Sequence, residues 1–184
     1  MSATKTLGFL LTPQCAMMAF TSAIEALRGA NRHSGRELYH WVVLSSDDQP
    51  VVTSNGIVVM PSCRMNEVSG LDYIFVCGGI RTDQFKDPHV LAWLRHHAQH
   101  GVAMGALSTG PFVLAAAGLL NGYRATIHWE GAVSMQEQYP EVELTGAIFE
   151  IDRNRYTCAG GTTAMDLMLT LIVRDHGSRL ATEV

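Results

Sequence analysis

The sequence predicts an α/β domain, a three-layer α/β/α sandwich with helices on both faces of a mostly parallel sheet. Three observations predict it. Strand-like and helix-like segments alternate along the chain. The central strand segments are continuously apolar, as strands covered on both faces are. And 184 residues, 47% hydrophobic and 16% charged, suffice for one domain, residues 1–184, with a sizeable core and no disorder.

Thr6 to Leu11 is a short apolar run that stops at Thr12-Pro13, and it reads as a buried parallel strand. A helix is expected from Ala16 to Ala30, with Met17, Ala19, Phe20, Ile24 and Leu27 on its apolar face. Tyr39 to Ser45 is a second strand. Val51-Val52-Thr53 and Ile57 to Met60 flank Ser54-Asn55-Gly56, a strong hairpin signal. Asp72 to Cys77 is a strand ending in Gly78-Gly79. Asp87-Pro88 sets a cap before a proline in the first turn of a helix that reaches His100. Val102 to Leu107 is a strand and Gly110 to Leu120 an alanine-rich helix. Arg124 to Trp129 reads as a short strand and Gly131 to Gln138 as a helix closed by Pro140. Ala147 to Asp152 and Arg155 to Cys158 form a second hairpin, turned by Arg153-Asn154. Thr162 to Asp175 is the last helix, closed by Gly177.

Charge and cysteine usage narrow the function classes. Thirteen Lys+Arg against 17 Asp+Glu leave a net charge of −4, so this segment is not expected to grip nucleic acid by itself. The best apolar stretch, Leu167 to Val173, is far shorter than a bilayer span, so no membrane partner is expected. Cys15, Cys63, Cys77 and Cys158 show no CxxC pairing, and no signal-peptide pattern opens the chain. A cytoplasmic protein with reduced, mostly buried thiols is expected. His96 and His100 are spaced i, i+4, but no further ligand follows at metal spacing. They are read as a solvated helix end, and neither metal nor cofactor is expected.

Ligands of such sheets bind beyond the carboxyl ends of the strands, which directs attention to Pro13, Gly78, Gly79 and the Ser108-Thr109-Gly110 turn. Ala106 to Gly110 is a small-x-Ser-x-Gly turn between strand and helix, a relative of the nucleophile elbow. The amides of Thr109 and Gly110 are expected to face the site at the helix start, where they favour an anion or a carbonyl oxygen. Gly78 and Gly79 offer a second amide source, or they simply turn the chain. A nucleophilic Ser108 needs a base held by a third group. His128 is 20 residues later, at the end of the next strand, where it is either that base or a hydrogen-bonded core residue. Glu130 is expected to face away from it, as strand neighbours do. Trp129 is either a core residue or a ligand contact.

Several segments together carry a resemblance: Gly8-Phe-Leu-Leu-Thr-Pro13, Ala23-Ile-Glu-Ala-Leu-Arg-Gly-Ala-Asn31, Ser54-Asn-Gly56, Val76-Cys-Gly-Gly79, Gly105-Ala-Leu-Ser-Thr-Gly110, the stretch from Ala115 through Ala125-Thr-Ile-His-Trp-Glu130, Phe149 to Arg155, and Cys158-Ala-Gly-Gly-Thr-Thr-Ala-Met-Asp166. Over nearly its whole length the chain resembles the N-terminal sensor domain of AraC/XylS-family transcriptional regulators. That branch has a class I glutamine amidotransferase-like (PfpI-like, flavodoxin-like) fold. The resemblance implies a homodimer that senses a small-molecule effector. It also implies DNA binding through a C-terminal helix-turn-helix domain that this chain lacks. The chain is similar to regulators of arginine, carnitine and glycine-betaine catabolism, whose ligands pair a carboxylate with a cationic head. On that reading Pro13 lies among the ligand loops. The amides near Gly78, Gly79, Ser108, Thr109 and Gly110 would take the carboxylate, and Trp129, with Glu130 if it turns inward, the cation. Enzymatic members of the superfamily carry a cysteine at the elbow, a partner histidine and a carboxylate on the first helix. Ser108 stands at the cysteine position and His128 matches the histidine, whereas Met17 to Ser22 holds no acid. Catalytic residues are therefore not expected. The alternatives are a PfpI-like amidohydrolase or hydratase using Ser108 and His128, and a stand-alone stress protein of the same fold.

Overall fold

The computed structural model describes residues 3–184. Its centre is a six-stranded sheet. Five parallel strands run β1 (Lys5–Leu11), β2 (Tyr39–Ser45), β5 (Tyr73–Cys77), β6 (Ala103–Leu107) and β10 (Arg155–Cys158), and β9 (Phe149–Asp152) adds an antiparallel edge. The order across the sheet is β2-β1-β5-β6-β10-β9. The two remaining strand pairs lie apart from it. One is the Asn55-Gly56 hairpin of β3 (Val51–Val52) with β4 (Val58–Val59). The other pairs β7 (Arg124–Ala125) with β8 (Glu143–Leu144) in parallel. The doubly wound architecture is therefore as expected.

Alternation along each strand splits the core in two. Leu7, Phe9 and Leu11 face helices α1 (Met17–Ser34) and α5 (Thr163–His176), packing with Phe20, Leu27, Leu167 and Leu171. Leu10, Ile74, Val76 and Met104 face the opposite layer with Val90, Leu94, Phe112 and Val113 of α2 (Pro88–Gln99) and α3 (Pro111–Ala116). Phe9 stacks on Phe75 with ring centroids 5.7 Å apart. Opposite Phe75 in the ladder is Gly105, where an added Cβ would sit 2.2 Å from the ring. Asp87 caps α2 by accepting from the amides of His89 (2.8 Å) and Val90 (3.2 Å), as its sequence position implies.

Some boundaries differ from expectation. α1 runs on to Ser34, because the left-handed residue that stops it is Gly35 (φ 65°). α3 is half the expected length, since Gly118 (φ 73°) turns the chain early. The predicted strand from Arg124 to Trp129 pairs only at Arg124 and Ala125. Beyond them the Thr126 amide bonds the Thr157 hydroxyl (2.9 Å) instead of a backbone ladder, and Trp129–Gly131 form a 3-10 turn leading into α4 (Ala132–Gln138). A final helix α6 (Ser178–Glu183) follows α5. Among the described residues no helix is long and apolar enough to cross a membrane.

Candidate functional site

The carboxyl ends of β1, β5, β6 and β10 bring their following loops together. Ser108 leaves β6 at φ 61°, in the left-handed region that favours glycine. Its amide donates to Cys158 O (3.1 Å) and its carbonyl accepts from the His128 amide (3.0 Å), so both neighbouring segments hold the strained turn. Gly160, at φ 96°, passes directly over it: a Cβ there would lie 2.8 Å from the Ser108 Cβ. Ser108 is consequently buried, only 5% exposed, and its hydroxyl makes no hydrogen bond to any described residue.

The glycines serve packing of backbone on backbone. A Cβ on Gly78 would meet Gly110 N at 2.1 Å, and one on Gly79 would meet Gln14 O at 1.9 Å. This close approach consumes most of the amides that the sequence offered to a ligand. Gly78 N and Gly110 N both donate to Leu107 O (3.1 and 3.0 Å), and Gly79 N donates to the Thr82 hydroxyl (2.8 Å). Of the four, Thr109 alone keeps an amide with no acceptor among the described residues. The Thr109 hydroxyl is tied down, donating to Gly79 O (2.7 Å) beside the Thr82 hydroxyl (3.1 Å). Thr82 thus organises the turn after β5 yet had no signal in the sequence, being an isolated threonine after a loop.

His128, Trp129 and Glu130 lie together at the 3-10 turn. The strand geometry that would aim Glu130 away from His128 is absent, and its carboxylate stands 3.7 Å from His128 Nδ1. Trp129 is 76% exposed with its ring 5.7 Å from that of His128, so it is no core residue. No hydrogen bond joins His128 to the Ser108 hydroxyl, and the first turn of α1 holds no acid. The thiols offer no substitute nucleophile. Cys15, Cys77 and Cys158 are buried, and burial pushes all three thiols up, Cys15 to about 11. Among the described residues no three His, Cys, Asp or Glu side chains cluster to hold a metal.

Pro13 lies elsewhere in the same neighbourhood. It lines a cleft of about 270 Å³ with Gln14, Ile80, Arg81, Gln84 and Phe85, floored by Thr12 and Thr82. Gln14 (φ 57°) and Arg81 (φ 59°) are both left-handed there, and Ile80 N donates to Gln14 O (3.2 Å) across it.

The comparisons with known proteins agree with this fold. Residues 5–174 match the DJ-1/PfpI family. The chain is 46% identical over 176 residues to the HTH-type transcriptional regulator CdhR of Pseudomonas aeruginosa, covering 96% of this chain and 52% of that protein. It is 32% identical over 171 residues to the isonitrile hydratase of Pseudomonas putida, covering 90% of this chain and 69% of the enzyme. The crystal structure of an AraC family transcriptional regulator from Pseudomonas putida superposes with a TM-score of 0.90 at 34% identity, over 97% of this chain and 96% of the other. The chain spans about half the length of the curated regulators it matches. Sheet order, the left-handed turn at Ser108 and these likenesses converge: this chain belongs to the DJ-1/PfpI family, among relatives that are AraC-type transcriptional regulators.

Proposed function

We propose that this domain is the effector-sensing, homodimerising half of a cytoplasmic AraC-type regulator, in which a helix-turn-helix domain makes the DNA contacts. The observation that carries the reading is the elbow itself: the Ser108 hydroxyl is bonded neither to His128 nor to an acid, although the turn that presents it is kept. A serine without a base is inert near neutral pH, whereas an unbonded hydroxyl and the open Thr109 amide remain useful for holding a small polar molecule. The span of the regulator relatives, about twice the matched region, supports a second domain. Exposed Trp129 beside Glu130 suits a cationic head, by ring-face attraction and charge. An amino-acid or betaine-like effector follows. Calorimetry of the domain with glycine betaine, carnitine and arginine tests it, alongside operator binding by the full-length regulator with and without each compound. Binding that leaves operator affinity unchanged, or no binding of any of them, refutes the sensor reading.

The similarity to isonitrile hydratase favours a second reading, an enzyme using Ser108 and His128. Turnover of amides, esters, nitriles or isonitriles that Ser108→Ala abolishes would establish it over the first.

A further inference from the structure

The sheet order β2-β1-β5-β6-β10 reverses at one place: from β1 the chain crosses to β2 on one side, and β5 and the later parallel strands lie on the other. In open α/β sheets the crevice beyond the carboxyl ends of the strands at such a switch point is where ligands bind. Here that crevice is bounded by the loops after β1 and β5, and it is the cleft containing Gln14 and Arg81. It is separate from the elbow after β6, although the Thr82–Thr109 hydroxyl contact (3.1 Å) joins the two.

Its chemistry is one-sided. No Asp or Glu lines it, and the guanidinium of Arg81 makes no hydrogen bond or ion pair to any described residue. The Gln14 and Gln84 side chains are equally uncommitted, while Ile80 and Phe85 supply an apolar wall. Elsewhere in the site the Gly78, Gly79 and Gly110 amides expected to take an anion are spent on Leu107 O and the Thr82 hydroxyl, and the Thr109 amide is the one of the four left open. Arg81 stands beside the cleft on a left-handed backbone, a conformation unfavourable to any residue but glycine.

We propose that the cleft between the loops after β1 and β5 is a carboxylate-binding site, in which Arg81 takes the carboxylate of a small amphipathic acid and Gln14 and Gln84 flank it. This rests on the effector reading and assigns the effector's acid group to Arg81. A planar guanidinium grips a carboxylate through two parallel N–H donors, which a lysine ammonium does not reproduce. The volume suits a molecule of amino-acid size, at the small end of ligand pockets.

The test titrates the domain with glycine betaine and carnitine and with their carboxamide counterparts, by calorimetry and by amide chemical-shift mapping. The wild-type domain binds at least one carboxylate about tenfold tighter than its carboxamide, as expected for a lost charge-assisted bond. The signals of Gln14, Ile80 and Gln84 move. Arg81→Asn, which tolerates the left-handed backbone, brings acid and amide to within about twofold of each other, and Arg81→Lys falls between. Arg95→Gln on α2 is the unaffected control. A preserved acid preference in Arg81→Asn overturns the proposal alone, and no binding of any carboxylate by the wild type overturns it together with the effector reading. Failure of the effector reading alone looks different: Arg81-dependent binding would persist while operator affinity stays unchanged.

Discussion

Replacing Gly78 with alanine should be among the most damaging single-methyl additions available to this domain. The new Cβ would lie 2.1 Å from Gly110 N and 2.5 Å from Thr109 C, both backbone atoms, so no side-chain rotation relieves the clash. An ordinary contact needs about 3.4 Å or more, and the elbow must therefore retreat from the end of β5 by about 1.3 Å. The retreat breaks or stretches the bonds from Gly78 N and Gly110 N to Leu107 O, each contributing about 1 kcal/mol. Overpacking a dense interior adds about 1–3 kcal/mol. The expected loss is about 3–5 kcal/mol, a large part of the stability of a typical domain. Urea unfolding followed by circular dichroism measures it, with Gly146→Ala as the control. At Gly146 nothing lies within 4 Å of the added carbon, and a change within about 0.5 kcal/mol is expected. A Gly78→Ala midpoint corresponding to less than about 1 kcal/mol of destabilisation would show that β5 and the elbow are not locked together as described.

Other expectations follow from single features. Asp87→Ala removes the acceptor for two amides at the start of α2 and should cost about 1 kcal/mol in the same unfolding assay. Ser108→Gly relieves the left-handed strain at the elbow and should raise stability by up to about 1 kcal/mol; a loss would mean that the hydroxyl has a partner after all. In native protein at pH 8, a thiol reagent should modify Cys63 while Cys15, Cys77 and Cys158 stay blocked until urea is added, because these three are buried with raised thiols. The thiol of Cys15 titrates near 9 when unfolded and at about 11 in the fold, and burial holds the Tyr73 phenol up to about 12. In both cases the folded state binds its proton more tightly. Their stabilisation is complete below pH 9 and is lost as pH rises through 11 to 12. Denaturation midpoints measured from pH 8 to 12 should fall across that window, and Cys15→Ala should flatten the lower part of it.

The parallel strands were legible because their apolar runs are unbroken and each stops at a turn residue: Leu11 before Thr12-Pro13, Cys77 before Gly78-Gly79, Leu107 before Ser108. The elbow was legible for a local reason too, since small residues two positions on either side mark a cramped turn. The open or occupied state of its amides was not, because their acceptors, Leu107 O and the Thr82 hydroxyl, are set by how two loops approach each other in space. The segment after Ala125 misled for a related reason. Thr126 and Ile127 look like strand, yet Thr126 is held by side-chain bonds to Thr157 and to Ala147 O (2.6 Å), which no periodicity encodes. That change of course also sets Glu130 beside His128. The switch-point cleft left the faintest trace of all, because it is a product of strand order.

Helix α1 has one end in each of two distant places. Its entry is sewn to the loop after β5, with Ala16 N on Gly78 O (2.9 Å) and Cys15 bridged to Gly79. Five residues before its other end, Gly29 lacks the Cβ that would strike Val184 at 2.9 Å, so Val184 seats directly on the helix. Eighteen residues make a strut about 27 Å long. A strut of hydrogen-bonded backbone bends little over that distance. Val184 rests about 18 Å along that strut from Met17, so a rigid tilt of the helix at its entry would also shift the surface on which Val184 sits.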